Sequence, residues 1–497
     1  MENKYILAID QGTSATKAIL FNRKGQVVHR CNRVQKQYYP NPGWIEHDAE
    51  EIYKNTLKAI HDLLYEVKIT GQQIMALAIT NQRETALVWD KQTGKPVYNA
   101  IVWQCNRGSN ICNKLIEQGY EKIVKEKTGL VLSPYFSAAK IKWILDNVEG
   151  ARQKAEEGKL LFGTIDSWLV WKLTNGKAHT TDYSNASRTQ LFNIKELKWD
   201  EELLQIFTIP KTMTPNVKYS DEIFGYTTIN GILEKEIPIA GIMGDSHAAL
   251  FGQNCFKKGM AKATYGTGSS VMMNIGKNIL QSNSGLVTSI AWGMDNHIEY
   301  VFEGNINCTG ATIKWLVEDL ELIPNSKIAG KIAASIDSNE GVYLVPAFVG
   351  LSAPYWDSEA KASIMGINRV TKKAHIVRAA EESIAYQIRD VLDLMVMESG
   401  VKLKELRVDG GPTRDNFLMQ FQANILNVAV VRNKIEELSA IGSVFMAGLA
   451  IGFWNSKEEI EALRAPDIIF NCKMDNKERD KLYKGWKEAV RRTLFNY

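Results

Sequence analysis

Two hairpins of similar composition, about half a chain apart, constrain this sequence most. Residues 5–21, YILAIDQGTSATKAILF, place a short apolar run on each side of a turn that contains Gly12 and two hydroxyl residues. Short, continuous apolar runs are typical of strands buried on both faces, and glycine beside hydroxyl residues is typical of a turn. Residues 262–274, KATYGTGSSVMMN, repeat the pattern. The repetition predicts a duplicated fold with one hairpin in each half.

The first turn collects groups that bind phosphate and magnesium. Thr13 and Ser14 supply hydroxyls, Lys17 supplies a cation, and Asp10 ends the first apolar run. Backbone N–H groups and hydroxyls can cradle phosphate oxygens, and a carboxylate can hold Mg²⁺ through its water shell. An ordinary hairpin with Asp and Thr in its turn would contain the same residues. The second copy favours a nucleotide that binds between the two halves.

Length and composition indicate a two-domain α/β protein. A chain of 497 residues predicts two large domains, and we place their boundary near residue 253 (1–253 and 254–497). Segments with strand and helix patterns alternate in both halves, which indicates the α/β class. The net charge of +4, without a dense basic run, gives no indication of nucleic-acid binding.

The spacing of the cysteines and the placement of the apolar segments predict a cytoplasmic location. The six cysteines are scattered without paired or metal-ligand spacing, which fits a reducing compartment. The opening residues MENKYILAID contain no long apolar region, so we expect no signal peptide. Residues 439–454 are apolar but short and rich in small residues, which predicts a buried helix and no membrane insertion.

Several polar segments lie at the ends of predicted elements. Residues 74–79 form a predicted strand, and the polar cluster TNQRE follows it at 80–84. Residues 237–252 predict a strand, a Gly-Asp turn and a helix. We expect a third strand at residues 26–29 and a hydroxyl-rich loop at residues 180–189.

Common catalytic motifs are absent from the sequence. It contains no P-loop, no dinucleotide fingerprint after a strand, no zinc-protease or paired C-x-x-C motif and no G-x-S-x-G elbow. The two hydroxyl-rich hairpins, an Asp-Gly-Gly turn at 409–411 and the isolated Gly244-Asp245 turn remain. Together they indicate phosphoryl transfer.

These residues carry a resemblance that covers nearly the whole chain. The sequence resembles the glycerol kinases of the FGGY carbohydrate kinase family, in the actin-like ATPase superfamily. The likeness rests on AIDQGTSATKA at 8–18, PGWIEHD at 42–48, ITNQRETALVWD at 79–90, YNAIVWQC at 98–105, YFSAAKIKWILDN at 135–147, GTIDSWLVWKLT at 163–174, TDYSNASRTQLFN at 181–193, GDSHAALFGQ at 244–253, ATYGTG at 263–268, VPAFVGLSAPYWD at 345–357 and RVDGGPTRDNFLMQFQ at 407–422. It implies two RNase H-like domains with the active site in the cleft between them.

The resemblance implies a role for individual residues. Asp245 would be the general base that accepts the proton of the attacking hydroxyl, since positioning dominates phosphoryl transfer. Asp10 would be the magnesium-side carboxylate. The residues implied in nucleotide binding are Thr13, Ser14, Ala15 and Lys17 in the first phosphate loop, Thr267 in the second, and Gly310, Lys314, Gly411 and Asp415 around the rest of the nucleotide.

The resemblance also implies a polyol pocket, lined by Arg83, Glu84, Trp103, Tyr135, Asp245 and Ser246. Arg and Glu can together donate to and accept from two neighbouring hydroxyls, and an aromatic wall suits the C–H side of a polyol. Adjacent residues of a regular strand face opposite ways. Arg83 and Glu84 therefore converge only if the strand has ended before them.

The sequence departs from the family pattern near both ligands. Ser246 and His247 stand where glutamines are usual, and Ser270 stands where an aromatic residue normally closes the glycerol pocket. Lys314 and Asp415 replace Gln and Asn near the nucleotide. The changes near the polyol keep another short polyol or a ketose open as the substrate.

The expected activity is ATP- and Mg²⁺-dependent phosphorylation of a small polyol. Glycerol is the first candidate substrate, with sn-glycerol 3-phosphate and ADP as products. A non-enzymatic nucleotide-dependent sensor on the same fold is the alternative of another class, because fold alone does not define function. We expect a homodimer or homotetramer.

Overall fold

The computed structural model describes residues 4–435, 437–463 and 467–494. Their contacts divide into two units. The first contains the chain up to Asn254, Thr288–Tyr300 and the segment that begins at Glu437. The second contains Cys255–Val287, the segment that begins at Val301, and the last strand and helix. The prediction assigned every residue after 253 to the second domain, whereas these contacts group two later segments with the first unit.

The strands and helices follow one another along the whole described chain. The strands are β1 (Tyr5–Gln11), β2 (Ala15–Asn22), β3 (Val27–Val34), β4 (Glu46–His47), β5 (Ile74–Asn81), β6 (Ala86–Asp90), β7 (Ala100–Ile101), β8 (Leu160–Thr164), β9 (Thr180–Asp182), β10 (Phe192–Asn193), β11 (Lys198–Trp199), β12 (Asn216–Lys218), β13 (Ile223–Thr227), β14 (Ile237–Gly244), β15 (Met260–Tyr265), β16 (Ser269–Gly276), β17 (Val287–Met294), β18 (His297–Ile306), β19 (Tyr343–Val345), β20 (Ser363–Met365), β21 (Glu405–Gly410), β22 (Ala429–Arg432) and β23 (Ile468–Phe470). The α-helices are α1 (Ala49–Val67), α2 (Ser109–Glu117), α3 (Glu121–Thr128), α4 (Ser137–Asn147), α5 (Ala151–Glu156), α6 (Ile165–Leu173), α7 (Tyr183–Ala186), α8 (Glu201–Ile206), α9 (Asp245–Gly252), α10 (Gly310–Glu318), α11 (Ala329–Ala333), α12 (Lys373–Ser399), α13 (Asn416–Leu426), α14 (Leu438–Ala450), α15 (Lys457–Ala462) and α16 (Asn476–Thr493). Short 3₁₀ turns occupy Gly71–Gln73, Lys211–Met213, Ser326–Ile328 and Gly411–Arg414.

A six-stranded sheet organises the first unit, in the order β13-β14-β5-β1-β2-β3. Strand β1 is antiparallel to β2 and parallel to β5, and β5 is parallel to β14. Gln11 and Gly244 both lie beside Asn81 at the ends of their strands. The carboxyl ends of three parallel strands therefore meet at one edge of the sheet, where ligands bind in open α/β sheets.

Continuous apolar strands bury the centre of this sheet. Ile6–Ile9 and Ile74–Ile79 contribute largely inaccessible side chains to the core, as their composition predicts. Helix α1 packs on one side, with Asp48 capping its first turn. Helix α14 packs against β14, β5 and β1, and it is the buried helix predicted from residues 439–454.

The second unit repeats the strand arrangement of the first. Six strands of its sheet are neighbours in the order β18-β16-β15-β21-β22-β23, with β15 and β16 as an antiparallel hairpin and with β15, β21 and β22 parallel. Gly410 ends β21 with φ of +99°, and an added Cβ there would lie 1.9 Å from the carbonyl oxygen of Tyr265. Only glycine fits this position, which explains the Asp-Gly-Gly sequence of the turn.

Two local predictions were wrong. The third strand extends from Val27 to Val34, well beyond residues 26–29. The segment at 180–189 is not a loop throughout, because it contains β9 and α7, and the side chain of Asp182 caps that helix. Among the helices of the described residues, none combines the length and apolar character needed to cross a membrane.

A buried carboxyl in α6 makes stability depend on pH. Asp166 is fully buried, and its two oxygens accept hydrogen bonds from the hydroxyls of Thr164 at 2.5 Å and Thr181 at 2.6 Å. Burial raises the pKa of Asp166 from its ordinary 3.8 to about 7. As pH rises from about 4 to about 7, the unfolded chain therefore ionises first, and the free energy of unfolding falls.

We expect Asp166→Asn to remove this pH dependence. The free energy of unfolding of the variant, relative to that of the native protein, should increase as pH rises from about 4 to 7. Above pH 7 the difference should stay constant. One pKa unit corresponds to about 1.4 kcal/mol, so the gain has an upper limit of about 4 kcal/mol. Urea unfolding of both proteins across this range measures it. A stability difference that stays constant with pH would contradict the raised pKa.

Candidate active site

The candidate site lies at the edge of the first sheet where the parallel strands end. Strand β5 ends at Asn81, and the next residue, Gln82, donates its N–H to the carbonyl oxygen of Gln11 at 2.7 Å. Strand β14 ends at Gly244, and α9 begins at once with Asp245. The turn of the first hairpin, the segment after β5 and the start of α9 therefore share one region of the first unit.

Arg83, Glu84 and Asp245 form a compact charged cluster there. The Nε atom of Arg83 lies 3.1 Å from Oδ1 of Asp245 and 3.9 Å from Oε1 of Glu84. Glu84 has a φ of +62°, outside any strand geometry. This backbone conformation lets two adjacent residues converge, as the sequence required. Their side chains are nearly inaccessible, whereas 39% of the Asp245 side chain is exposed.

The carboxylate of Asp245 is held through one of its oxygens. Oδ1 accepts the N–H of Ser246 at 2.6 Å and faces the guanidinium of Arg83. These two contacts fix the orientation of the carboxylate and leave Oδ2 as its second acceptor. Ser246 itself is half-buried beside Asp245, in the first turn of α9.

A second arginine, which the sequence did not indicate, holds Glu84 from behind. The Nε atom of Arg188 donates to Oε1 of Glu84 at 2.6 Å, and both side chains are at most 2% exposed. The guanidinium also lies over the ring of Phe136, 5.1 Å from its centroid. Arg188 follows α7 in the motif quoted at 181–193, and its partner is 104 residues away. The available signal for Arg188 was that a buried glutamate such as Glu84 needs a cation as its partner.

An aromatic wall stands near the end of the first hairpin. The rings of Trp103 and Tyr135 meet edge to face with their centroids 5.5 Å apart. Nε1 of Trp103 donates to the hydroxyl of Thr13 at 2.9 Å, which ties the wall to the first turn. Lys140 is fully buried, and its ammonium donates to the carbonyl oxygens of residues 134–136. It thereby fixes the backbone that carries Tyr135.

The first turn presents a hydroxyl and a carboxylate to the same region. The N–H of Gly12 closes the turn on the carbonyl oxygen of Ala15 at 3.0 Å, and Ser14 is exposed. Nζ of Lys17 lies 2.8 Å from Glu437 and 3.6 Å from Asp10. Glu437 joins this cluster from 420 residues away, and no local sequence pattern indicated it.

The electrostatics of Asp10 fit a cation. Burial raises the pKa of Asp10 to about 6, against the nearby charge of Lys17, and the negative charges of Glu437 and Asp245 raise it further. Its side chain keeps 17% of its surface exposed. Carboxylate oxygens are ligands that Mg²⁺ prefers, and an added divalent cation would relieve the repulsion among these carboxylates. The residues present therefore fit a magnesium ion held by Asp10.

The second unit carries the matching turn at 266–268. Thr267 and Gly266 are exposed, and their carbonyl oxygens accept N–H groups from the start of α10. An added Cβ at Gly310 would lie 2.5 Å from the carbonyl oxygen of Gly266, so a glycine is needed for this approach. The turn and the helix start are thus packed as one rigid element.

The other predicted nucleotide residues lie on separate elements of the second unit. Gly411 begins the turn after β21 and lines a cavity of about 490 Å³ with Thr413, Arg432 and Lys434. Oδ1 of Asp415 caps α13 through the N–H groups of residues 417 and 418. Lys314 is 66% exposed and lies 3.3 Å from Glu318. Nucleotide contact by these residues stays a prediction.

Comparison with known proteins identifies the family. Residues 5–252 match the N-terminal domain of the FGGY family of carbohydrate kinases, and residues 261–451 match its C-terminal domain. The chain belongs to the FGGY family. A glycerol kinase of Thermoanaerobacter sp. (strain X514) is 55% identical over 99% of both chains. A glycerol kinase of Bacillus cytotoxicus is 53% identical over 98% of this chain and 99% of its own.

Two solved kinase structures have the same fold. The crystal structure of Plasmodium falciparum glycerol kinase with ADP matches with a TM-score of 0.95 and 37% identity over 99% of both chains. A ligand-bound xylulose kinase of Lactobacillus acidophilus matches with a TM-score of 0.89 and 22% identity over 99% of both chains. The predicted α/β class, the actin-like ATPase fold and the assignment as a kinase are confirmed. The placement of the active site between the domains stays a prediction.

Proposed function

We propose that this FGGY kinase transfers the γ-phosphoryl group of ATP to a terminal hydroxyl of glycerol, giving sn-glycerol 3-phosphate and ADP. The observation that carries the proposal is the cluster of Arg83, Glu84 and Asp245 beside the aromatic pair of Trp103 and Tyr135. The glycerol kinases that resemble the chain over nearly its full length support the same substrate.

Asp245 acts as the general base in this proposal. Arg83 and the N–H of Ser246 engage Oδ1, so Oδ2 accepts the proton as the glycerol oxygen bonds to phosphorus. The transition state of phosphoryl transfer is loose, so most of the catalysis comes from positioning and charge stabilisation. The fixed orientation of this carboxylate supplies positioning, and its exposure leaves it accessible to the substrate hydroxyl.

In this proposal, charged side chains bind the hydroxyls of the polyol, and aromatic rings pack against its C–H side. Arg83 donates to one hydroxyl and Glu84 accepts from its neighbour, while Trp103 and Tyr135 cover the C–H face. Buried groups built to bind a hydroxyl reject analogues that lack it, because they would be left without a partner. Ser246 lies beside the base and is short, which leaves space for a four-carbon polyol.

The nucleotide is held by residues of both units in this proposal. Thr13, Ser14, Ala15 and Lys17 contact phosphate in the first unit, and Thr267, Gly310, Lys314, Gly411 and Asp415 contact the nucleotide in the second. Asp10 would hold Mg²⁺, which neutralises phosphate charge when it is bound. We also propose a cytoplasmic enzyme that forms a homodimer or homotetramer.

A substrate panel tests the proposed function. ATP consumption by the purified protein should depend on added polyol. Among the polyols, glycerol should give the highest kcat/KM. Dihydroxyacetone and erythritol should follow within about two orders of magnitude, because one methylene in an apolar pocket changes binding by only about 1–3 kcal/mol. ATP turnover without polyol would favour the alternative of a non-enzymatic nucleotide-dependent sensor. Activity only with longer polyols would exclude glycerol as the substrate.

A small change at the end of β14 should disturb the site. An added Cβ at Gly244 would lie 2.7 Å from Cγ of Arg83, whose side chain is buried. We expect Gly244→Ala to displace Arg83 and to lower kcat/KM for glycerol about 10- to 100-fold, because a shift of about 1 Å at a reacting centre has effects of this size.

The matched control for this variant is Gly71→Ala. Its added Cβ meets the side chain of Leu233 at 3.3 Å, outside the proposed site. It should keep the native kcat/KM. Equal losses in the two variants, or a Gly244→Ala enzyme with unchanged kcat/KM, would show that the contact with Arg83 does not position the arginine for catalysis.

A further inference from the structure

A group of metal-ligating side chains lies on the edge strand of the first sheet, outside the proposed active site. His29 and Cys31 are on β3, and Glu66 is on α1. One ligand atom from each residue lies within 4.8 Å of the other two. Alternate residues of a strand share one face, so His29 and Cys31 both point toward the helix. Two neighbouring elements therefore converge on one point.

A small movement of one side chain would let the three groups hold a tetrahedral ion. Nε2 of His29 lies 2.5 Å from Oε2 of Glu66, and Sγ of Cys31 lies 3.7 Å from the same oxygen. Zinc binds sulfur at about 2.3 Å and nitrogen or oxygen at about 2.0–2.2 Å, which separates neighbouring ligand atoms by roughly 3.5 Å. The carboxylate of Glu66 needs to withdraw from His29 by about 1 Å to admit the ion. Its side chain is 53% exposed and has room to do so.

Charge and access agree with a zinc ion at this point. A thiolate and a carboxylate together balance the two positive charges of Zn²⁺, with His29 as a neutral ligand. Arg33, the next residue on this face, forms an ion pair with Asp62, one turn from Glu66 on α1. Its charge is thereby matched by a carboxylate outside the trio. Cys31 is 8% exposed, while His29 and Glu66 open to solvent and provide an entry path.

We propose that His29, Cys31 and Glu66 bind Zn²⁺, with water as the fourth ligand. Binding forms the zinc–sulfur bond as the Cys31 thiol releases its proton to solvent, and it replaces the hydrogen bond between His29 and Glu66 with two bonds to the metal. The ion joins edge strand β3 to the last turn of α1. Because the ligands lie on two elements that meet only in the folded chain, zinc should also raise the melting temperature.

Zinc titration of the full-length protein tests the proposal. The chelator-treated protein should bind one Zn²⁺ in competition with a chromogenic chelator, and Co²⁺ in its place should show thiolate-to-cobalt charge-transfer absorption. Cys31→Ser and His29→Gln should each weaken zinc binding at least tenfold and abolish the rise in melting temperature. Cys472→Ser and His61→Gln are matched controls, since Cys472 is half-buried in the second unit and His61 is an exposed residue of α1.

Each result of this experiment decides the proposal. Native-like zinc affinity in both Cys31→Ser and His29→Gln would overturn it, as would a cobalt spectrum without the charge-transfer band. Equal weakening in the control variants would show adventitious binding and would also overturn it. If Cys31→Ser fails to fold, the cobalt spectrum of the native protein and the His29→Gln variant still decide the outcome. Glycerol phosphorylation is measured separately, so the failure of either proposal is distinguishable from the other.

Discussion

Replacing Asp245 by asparagine should abolish most of the turnover and leave nucleotide binding intact. Asparagine keeps an oxygen that can accept the N–H of Ser246 and lie beside the guanidinium of Arg83, so the local geometry should survive. It loses only the basic carboxylate that takes the substrate proton. General-base catalysis contributes about 10²–10⁴-fold, so kcat should fall by at least that order.

Steady-state kinetics and ADP binding together test this variant. The control is Asp48→Asn, since Asp48 caps α1 and asparagine is an equally good capping residue. It should keep native kcat and native ADP affinity. A fall in kcat of less than about tenfold in Asp245→Asn would remove Asp245 from the role of base, and a loss of ADP binding would show a wider disturbance.

Replacing Arg188 by methionine should damage stability and activity together. Glu84 would lose the donor at 2.6 Å and remain a buried carboxylate. Removing one partner of a buried ion pair costs about 3–5 kcal/mol of stability. The carboxylate would then protonate or turn away, so it could no longer accept the glycerol hydroxyl. We expect kcat/KM for glycerol to fall about 100-fold or more, in line with the cost of misplacing a group that orients the substrate.

A second substitution separates the structural role of Arg188 from its positioning role. In the Arg188→Met, Glu84→Gln double variant the buried charge is gone, so much of the lost stability should return while kcat/KM stays low. Arg188→Lys keeps the charge without the planar donor group and should be intermediate in kcat/KM. An Arg188→Met enzyme within about twofold of native kcat/KM would show that Glu84 does not need this arginine.

The parts of the fold with local sequence signals were predictable. The first hairpin follows from two apolar runs around a glycine turn, and the helix at Asp245 follows from the turn after an apolar strand. The convergence of Arg83 and Glu84 was also correct, because a regular strand forbids it and the chain leaves the strand at Asn81. In each case a steric rule acts over a few residues.

The remaining features of the fold and the site depend on sheet position or on contacts between residues far apart in the sequence. Strand β3 was predicted too short because Arg30, Asn32 and the other polar residues of an edge strand interrupt its apolar pattern. Arg188 and Glu437 reach their partners across 104 and 420 residues. Each pairs with a residue that the sequence had singled out, Glu84 or Lys17, and only the fold shows which counter-ion that residue meets.

Product analysis tests the central claim most directly. The purified protein, incubated with ATP, Mg²⁺ and glycerol, should form one phosphorylated product in equal amount with ADP, and a dehydrogenase specific for sn-glycerol 3-phosphate should oxidise all of it. Reactions without glycerol should form neither product nor ADP above background. A racemic product, a phosphorylated product that the dehydrogenase rejects, or ADP formed equally without glycerol would contradict the account.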